Sequence, residues 1–161
     1  MGLQAIYEDF FRQHKVSESS GSKKYSFTCQ HGQDECDGNK MHACAIKYIS
    51  GEKGVRDFLF CSMSEKYPPT SLALCSRRTG LDRAVTQKIQ ACMDADEGNE
   101  LLVRNGEKTH NLNPQLYFVP WITINGKFTE DNLIDSQKDF KSVVCRELVE
   151  NGIKANGEAC A

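Results

Sequence analysis

Five residues able to offer a sulfur or an imidazole nitrogen crowd into one stretch: Cys29, His31, Cys36, His42 and Cys44, in the string C-Q-H-G-Q-D-E-C-D-G-N-K-M-H-A-C. Three chemistries use such groups. A cysteine near a cationic partner or a helix start ionises readily and attacks disulfides. Cysteine and histidine at short spacing hold zinc. Paired cysteines close structural disulfides, which persist in oxidising compartments. Zinc sites favour closely spaced Cys-Cys and His-His pairs, whereas the order here is Cys-X-His, Cys, then His-X-Cys. We therefore assign no metal and no cofactor, and keep a structural zinc module as an alternative. A redox-active Cys29 and Cys36, helped by His31, would need an exposed, electropositive setting. The plainer expectation is a structural disulfide, and no catalytic residue is assigned.

Cys61, Cys75, Cys92, Cys145 and Cys160 bring the total to eight in 161 residues. An even number spread along so short a chain predicts a disulfide framework, whose connectivity spacing cannot choose. The length suits one domain, 1–161, and 39% hydrophobic with 26% charged residues suits an ordinary packed core. Lys and Arg are spread through a chain of net charge −2, so no nucleic acid is expected as a partner. No basic amphipathic stretch or long apolar run predicts a membrane partner. Oligomeric state is left open. Met1 to His14 mixes Glu8, Asp9 and Arg12 among its apolar residues, which is not a signal peptide, and no Asn-X-Ser/Thr acceptor occurs. A chain cut or mis-started upstream is favoured over a cytosolic protein with free or metal-bound cysteines.

The elements that must position these residues are mostly helical. Leu3 to Phe11 spaces Leu3, Ile6, Tyr7, Phe10 and Phe11 like one helix face. Val16 to Lys24 reads as a solvated loop, and Tyr25 to Thr28 as a short extended piece. Lys40 to Ile49 predicts a helix with Met41, Cys44, Ala45 and Tyr48 on one face, while Val55 to Cys61 fits either helix or strand. After Pro68-Pro69, Thr70 is placed to cap a helix through Leu72, Leu74 and Cys75. Leu81, Val85, Ile89 and Cys92 predict an amphipathic helix, and Asn99 to Val103 a short one ending near Asn105-Gly106. Asn111 to Pro114 is a turn. A hairpin is predicted over 117–128, with a strand from Phe118 to Ile124, an Asn125-Gly126 turn and a return strand. A helix over 132–150 follows, with Leu133, Phe140, Val144 and Leu148 as its stripe. Two strands alone make a marginal sheet, so the sheet lacks partners.

The string from Cys29 to Cys44 resembles the signature of the gamma-interferon-inducible lysosomal thiol reductase family, in which C-Q-H-G, E-C, an Asn and a final Cys fall at these spacings. Cys61 and Cys75 sit where that family has further cysteines. Cys92, Gly98, Leu101, Thr109, Leu112 and Pro114 follow its spacing into Tyr117, Val119-Pro120-Trp121 and the Asn125-Gly126 turn, and Cys145 falls in the closing helix. The likeness covers roughly residues 25 to 150.

The resemblance implies a thioredoxin-like α/β fold, disulfide-rich, with a helical insertion before the hairpin. It implies a thiol–disulfide oxidoreductase acting on disulfide-containing protein substrates in a lysosomal or secreted setting. It also implies a cis Pro120 and a Val119 whose backbone pairs with the substrate chain, against the plainer reading of a trans proline on an edge strand. The family's nucleophile is a Cys-X-X-Cys at a helix start, where the helix end favours thiolate. These residues contain no Cys-X-X-Cys, and their first cysteine is Cys29. The N-terminal strand–helix–strand unit is therefore expected to be partly missing, with Leu3 to Phe11 as a remnant, and the chain to have little or no reductase activity. A non-catalytic peptide-binding scaffold is the other alternative. His14, His42 and His110 are expected at the surface, Asp94, Asp96 and Glu97 in a solvated turn or at a helix end, and Trp121 in the core.

Overall fold

The computed structural model describes residues 15–19, 22–153 and 160, with 15–24 described by backbone path alone. The helix expected over Leu3 to Phe11 and the placement of His14 lie outside these residues. The described residues group into two compact units, one ending at Lys108 and one beginning at Thr109.

The first unit opens with an antiparallel ribbon, β1 (Lys15–Ser19) and β2 (Ser22–Ser26), in which Val16 faces Tyr25 across the register. This corrects the expected loop over Val16 to Lys24. A two-stranded ribbon needs only main-chain hydrogen bonds, so a polar run forms it without the apolar alternation that marks a half-buried strand.

Four helices and a fifth that closes the unit follow. Helix α1 (Gln33–Tyr48) begins earlier than expected, and Asp34 and Glu35 in its first turn suit the positive end of the helix dipole. Helix α2 (Glu52–Ser64) settles the ambiguous Val55 to Cys61 run as helix. A 3-10 turn (Pro68–Thr70) leads into α3 (Leu72–Arg78). Thr70 does not cap that helix; its hydroxyl bonds back to the Tyr67 carbonyl. Helix α4 (Arg83–Asp94) is capped by Asp82, which accepts from the Ala84 amide at 2.6 Å. Helix α5 (Asp96–His110) runs straight through Asn105-Gly106, where the sequence reading ended it. One interior glycine costs a helix only about 1 kcal/mol, which packing readily offsets.

The core of this unit is Met41, Cys44, Ala45, Ile49, Phe58, Leu72, Cys75, Ile89 and Cys92. Two disulfides run through it: Cys44–Cys92 ties α1 to α4, and Cys61–Cys75 ties α2 to α3. Gly98, near the start of α5, lets that helix approach closely. A Cβ there would sit 2.7 Å from the Cys92 carbonyl oxygen and 2.7 Å from Lys40 Cγ.

The second unit holds a hairpin, β3 (Thr123–Ile124) and β4 (Lys127–Phe128), and a helix, α6 (Glu130–Glu150). Asn125 and Gly126 take φ values of 51° and 74°, the positive pair that a type I′ turn requires. The strand is shorter than expected: Phe118 to Ile122 lie outside it. Thr129 caps α6 by accepting from the Asn132 amide at 3.1 Å.

Helix α6 breaks at Asp139 (φ −152°, ψ 87°), whose carboxylate accepts from the Ser142 amide at 3.1 Å and the Ser142 hydroxyl at 2.5 Å. Asp139 thus acts as an internal N-cap. The break resets the helical phase, so Leu133, Ser136 and Val143 are buried while Phe140 is exposed. That corrects the expected Leu133–Phe140–Val144–Leu148 stripe. The described architecture is mostly helical and disulfide-rich, with two short two-stranded sheets.

Candidate functional site

The cysteines decide what redox chemistry these residues can perform. All eight are bonded, as Cys29–Cys36, Cys44–Cys92, Cys61–Cys75 and Cys145–Cys160. Cys29 and Cys36, weighed above as a redox pair, are partners across the turn that starts α1. The Gly32 amide closes that turn on the Cys29 carbonyl at 3.1 Å, and Glu35 accepts from the His31 amide at 2.7 Å. His31 Nδ1 also meets Glu35, at 3.1 Å. Cys36 is buried and flanked in sequence by Glu35 and Asp37.

The ligand set weighed for zinc is likewise divided. Cys29 and Cys36 are bonded to each other and Cys44 to Cys92, and His42 turns to Ser62. Cys61, Cys75 and Glu65 place ligand atoms within 4.8 Å of one another. Those two sulfurs share a bond, and Glu65 accepts from Arg78.

The Val119-Pro120 segment stands apart in character. Val119–Pro120 is cis, as the resemblance implied, and Asn113–Pro114 is cis as well. Val119 and Pro120 are exposed, and so is Tyr117. Beneath them lies an aromatic cluster. Trp121 stacks on Phe128 with ring centres 3.7 Å apart and planes at 7°. Phe118 meets Trp121 edge-on at 5.1 Å, and Tyr117 meets Phe118 at 4.9 Å and Trp121 at 5.4 Å. Trp121 is half-buried, and its Nε1 has no hydrogen-bond partner among the described residues. The backbone groups of Tyr117, Phe118, Val119 and Trp121 also find none there.

A clamp holds the turn that follows. Glu147 accepts from Asn125 Nδ2 at 3.0 Å and from Asn132 Nδ2 at 3.2 Å, while Arg146 donates to Asn132 Oδ1 at 2.7 Å and to Asp135 at 3.1 Å. Asn125 thereby does two jobs: it adopts the left-handed backbone and fixes the hairpin to α6.

Several side chains missed by sequence reasoning matter here. His42, expected at the surface, is half-buried, with Nε2 2.9 Å from the Ser62 hydroxyl. Glu97 lies in the first turn of α5, the helix end that was one of its two expected settings, and accepts from both Lys47 and Tyr48; these bonds, Lys47 first, hold its carboxyl below the usual range. In the sequence Tyr117 stands out only by its spacing before Val119-Pro120-Trp121. Its exposed position could have been suspected from an aromatic beside Val119-Pro120, but exposure itself has no sequence signal.

A model of the family described as gamma interferon inducible lysosomal thiol reductase (GILT) matches residues 7–79. A gamma-interferon-inducible lysosomal thiol reductase of Carassius auratus is 35% identical over 134 residues, covering 81% of this chain and 51% of its own. The chain belongs to the GILT family. A gamma-interferon-responsive lysosomal thiol protein of Arabidopsis thaliana is 32% identical over 124 residues, 77% of this chain and 50% of its own. GILT-like protein 1 of Drosophila melanogaster is 30% identical over 155 residues, 89% of this chain and 61% of its own. This GILT-family chain thus spans about half the length of the first two relatives. Among its described residues no helix is long and apolar enough to cross a membrane.

Proposed function

We propose that this chain supplies the disulfide-stapled, substrate-holding part of a GILT-type thiol–disulfide oxidoreductase. In this reading its fold is thioredoxin-like with a helical insertion, its setting lysosomal or secreted, and its partners are proteins carrying disulfides. The observation that carries the reading is the exposed Val119-Pro120 backbone, whose neighbours have main-chain groups free of partners among the described residues. Such an edge accepts an extended polypeptide by main-chain hydrogen bonding. The complete pairing of the cysteines supports an oxidising setting.

Reduction of a disulfide needs a thiolate to attack one substrate sulfur and a second thiol to release the mixed disulfide. Every sulfur of this chain's cysteines is already bonded. The chain alone therefore holds substrate without turning it over. A fluorescent-disulfide assay at acidic pH is expected to show no turnover above buffer. Turnover that disappears on Cys29→Ser or Cys36→Ser overturns this reading.

A further inference from the structure

Residues 116–122 read L-Y-F-V-P-W-I and carry no ionisable group but the Tyr117 phenol, in a chain where 26% of residues are charged. From Leu116 to Val119 exposure alternates. Leu116 is buried and Phe118 half-buried, whereas Tyr117 and Val119 are exposed at 55% and 66%. The Tyr117 ring is not loose on the surface. It is braced edge-on by Phe118 and Trp121, and Trp121 in turn lies flat on Phe128. A ring already held in place loses little freedom when a ligand covers it.

Main-chain pairing along an edge gives affinity without regard to sequence, and selectivity comes from the side-chain surface beside it. Here that surface is one braced aromatic ring and one aliphatic side chain. A charged flank laid on it would lose hydration and gain no counter-ion from residues 116–122. An aromatic or aliphatic flank would bury apolar area on both sides. Resting on the reading of the Val119 edge as the substrate site, we infer that Tyr117 is its specificity-determining residue. The substrate class is unfolded polypeptide with aromatic or aliphatic side chains flanking its disulfide.

Trp121 is the chain's single tryptophan, so its fluorescence reports on this surface alone. The test titrates the intact, oxidised chain with four equal-length unstructured peptides. Each carries a central S-methylated cysteine flanked by Phe and Leu, by Ser and Gly, by Glu, or by Lys. Backbone amide shifts locate the binding. The Phe/Leu peptide is expected to bind roughly tenfold more tightly than the others, with shifts at Tyr117 to Trp121. Tyr117→Ser is expected to remove most of that preference and Tyr117→Phe to keep it. Val119→Ser, which removes the aliphatic side chain but leaves the main chain and the aromatic brace in place, is expected to weaken the Phe/Leu peptide and to leave the other three unchanged. Equal binding of the four peptides, unchanged by Tyr117→Ser, overturns the inference and leaves the edge as a substrate site. Shifts confined to the exposed apolar side chains Ile46, Phe60 and Met63 of α1 and α2, or no binding at all, overturn both.

Discussion

His42, Ser62 and Ser71 share one hydrogen-bonded chain in which each group fixes the next. Ser71 Oγ donates to Ser62 Oγ at 2.7 Å, and Ser62, fully buried, sits 2.9 Å from His42 Nε2. Ser62 Oγ accepts from Ser71 and pairs with His42 Nε2, the donor of that second bond following the imidazole tautomer. Burial lowers the pKa of His42 below 6.5. The unfolded chain therefore binds this proton first. The stability His42 contributes is complete above 6.5 and is lost as pH falls through the lower, folded value. Thermal unfolding at about pH 7 and about pH 5 is expected to show a loss of stability that His42→Gln reduces. A variant with the same loss as the parent would remove His42 as the cause. Asp57 and Glu97, held low first by Lys53 and Lys47, respond below the carboxylate values of 3.8 and 4.5 and do not confuse that window.

Among the elements, close approach at the start of α5 is the feature least forgiving of change. Lys40 can swing away from a new methyl group, but the Cys92 carbonyl belongs to the end of α4, which Cys44–Cys92 pins. Gly98→Ala is therefore expected to destabilise the chain by about 1–3 kcal/mol despite alanine's better helix propensity. A denaturant midpoint equal to or above that of the parent would contradict this. Sequence legibility differed element by element for physical reasons. Asn125-Gly126 was readable because few residue types tolerate positive φ, and Ile89 and Cys92 because their spacing matches a buried face. The β1–β2 ribbon was not, since main-chain bonding leaves no apolar period. The break at Asp139 was hidden because an aspartate inside a helical pattern differs from an N-cap only in its backbone. At the candidate edge, Val119 and Pro120 were legible through resemblance. The braced exposure of Tyr117 depends on Trp121 and Phe128 meeting, which spacing does not encode.

At the scale of the whole chain, covalent links of unequal span carry unequal weight. Cys44–Cys92 closes a separation of 48 residues and Cys61–Cys75 one of 14. Loop-closure entropy assigns these about 4 and about 3 kcal/mol. Replacing Cys44 and Cys92 by alanine is thus expected to cost more than the same change at Cys61 and Cys75, read from denaturant unfolding. The reverse order would show that local packing outweighs chain entropy here.

The same four bridges also divide the polypeptide into covalent territories. Three lie between Cys29 and Cys92, the fourth joins Cys145 to Cys160, and none spans the interval from Cys92 to Cys145. A protease that nicks once between Cys44 and Cys92 leaves a single linked molecule, because a bridge still straddles the cut. One nick in the interval containing Tyr117 and Val119 instead yields two peptides with no bond between them. The segment read here as the substrate edge thus lies in an interval where one cleavage severs the chain, as does the short span between Cys36 and Cys44.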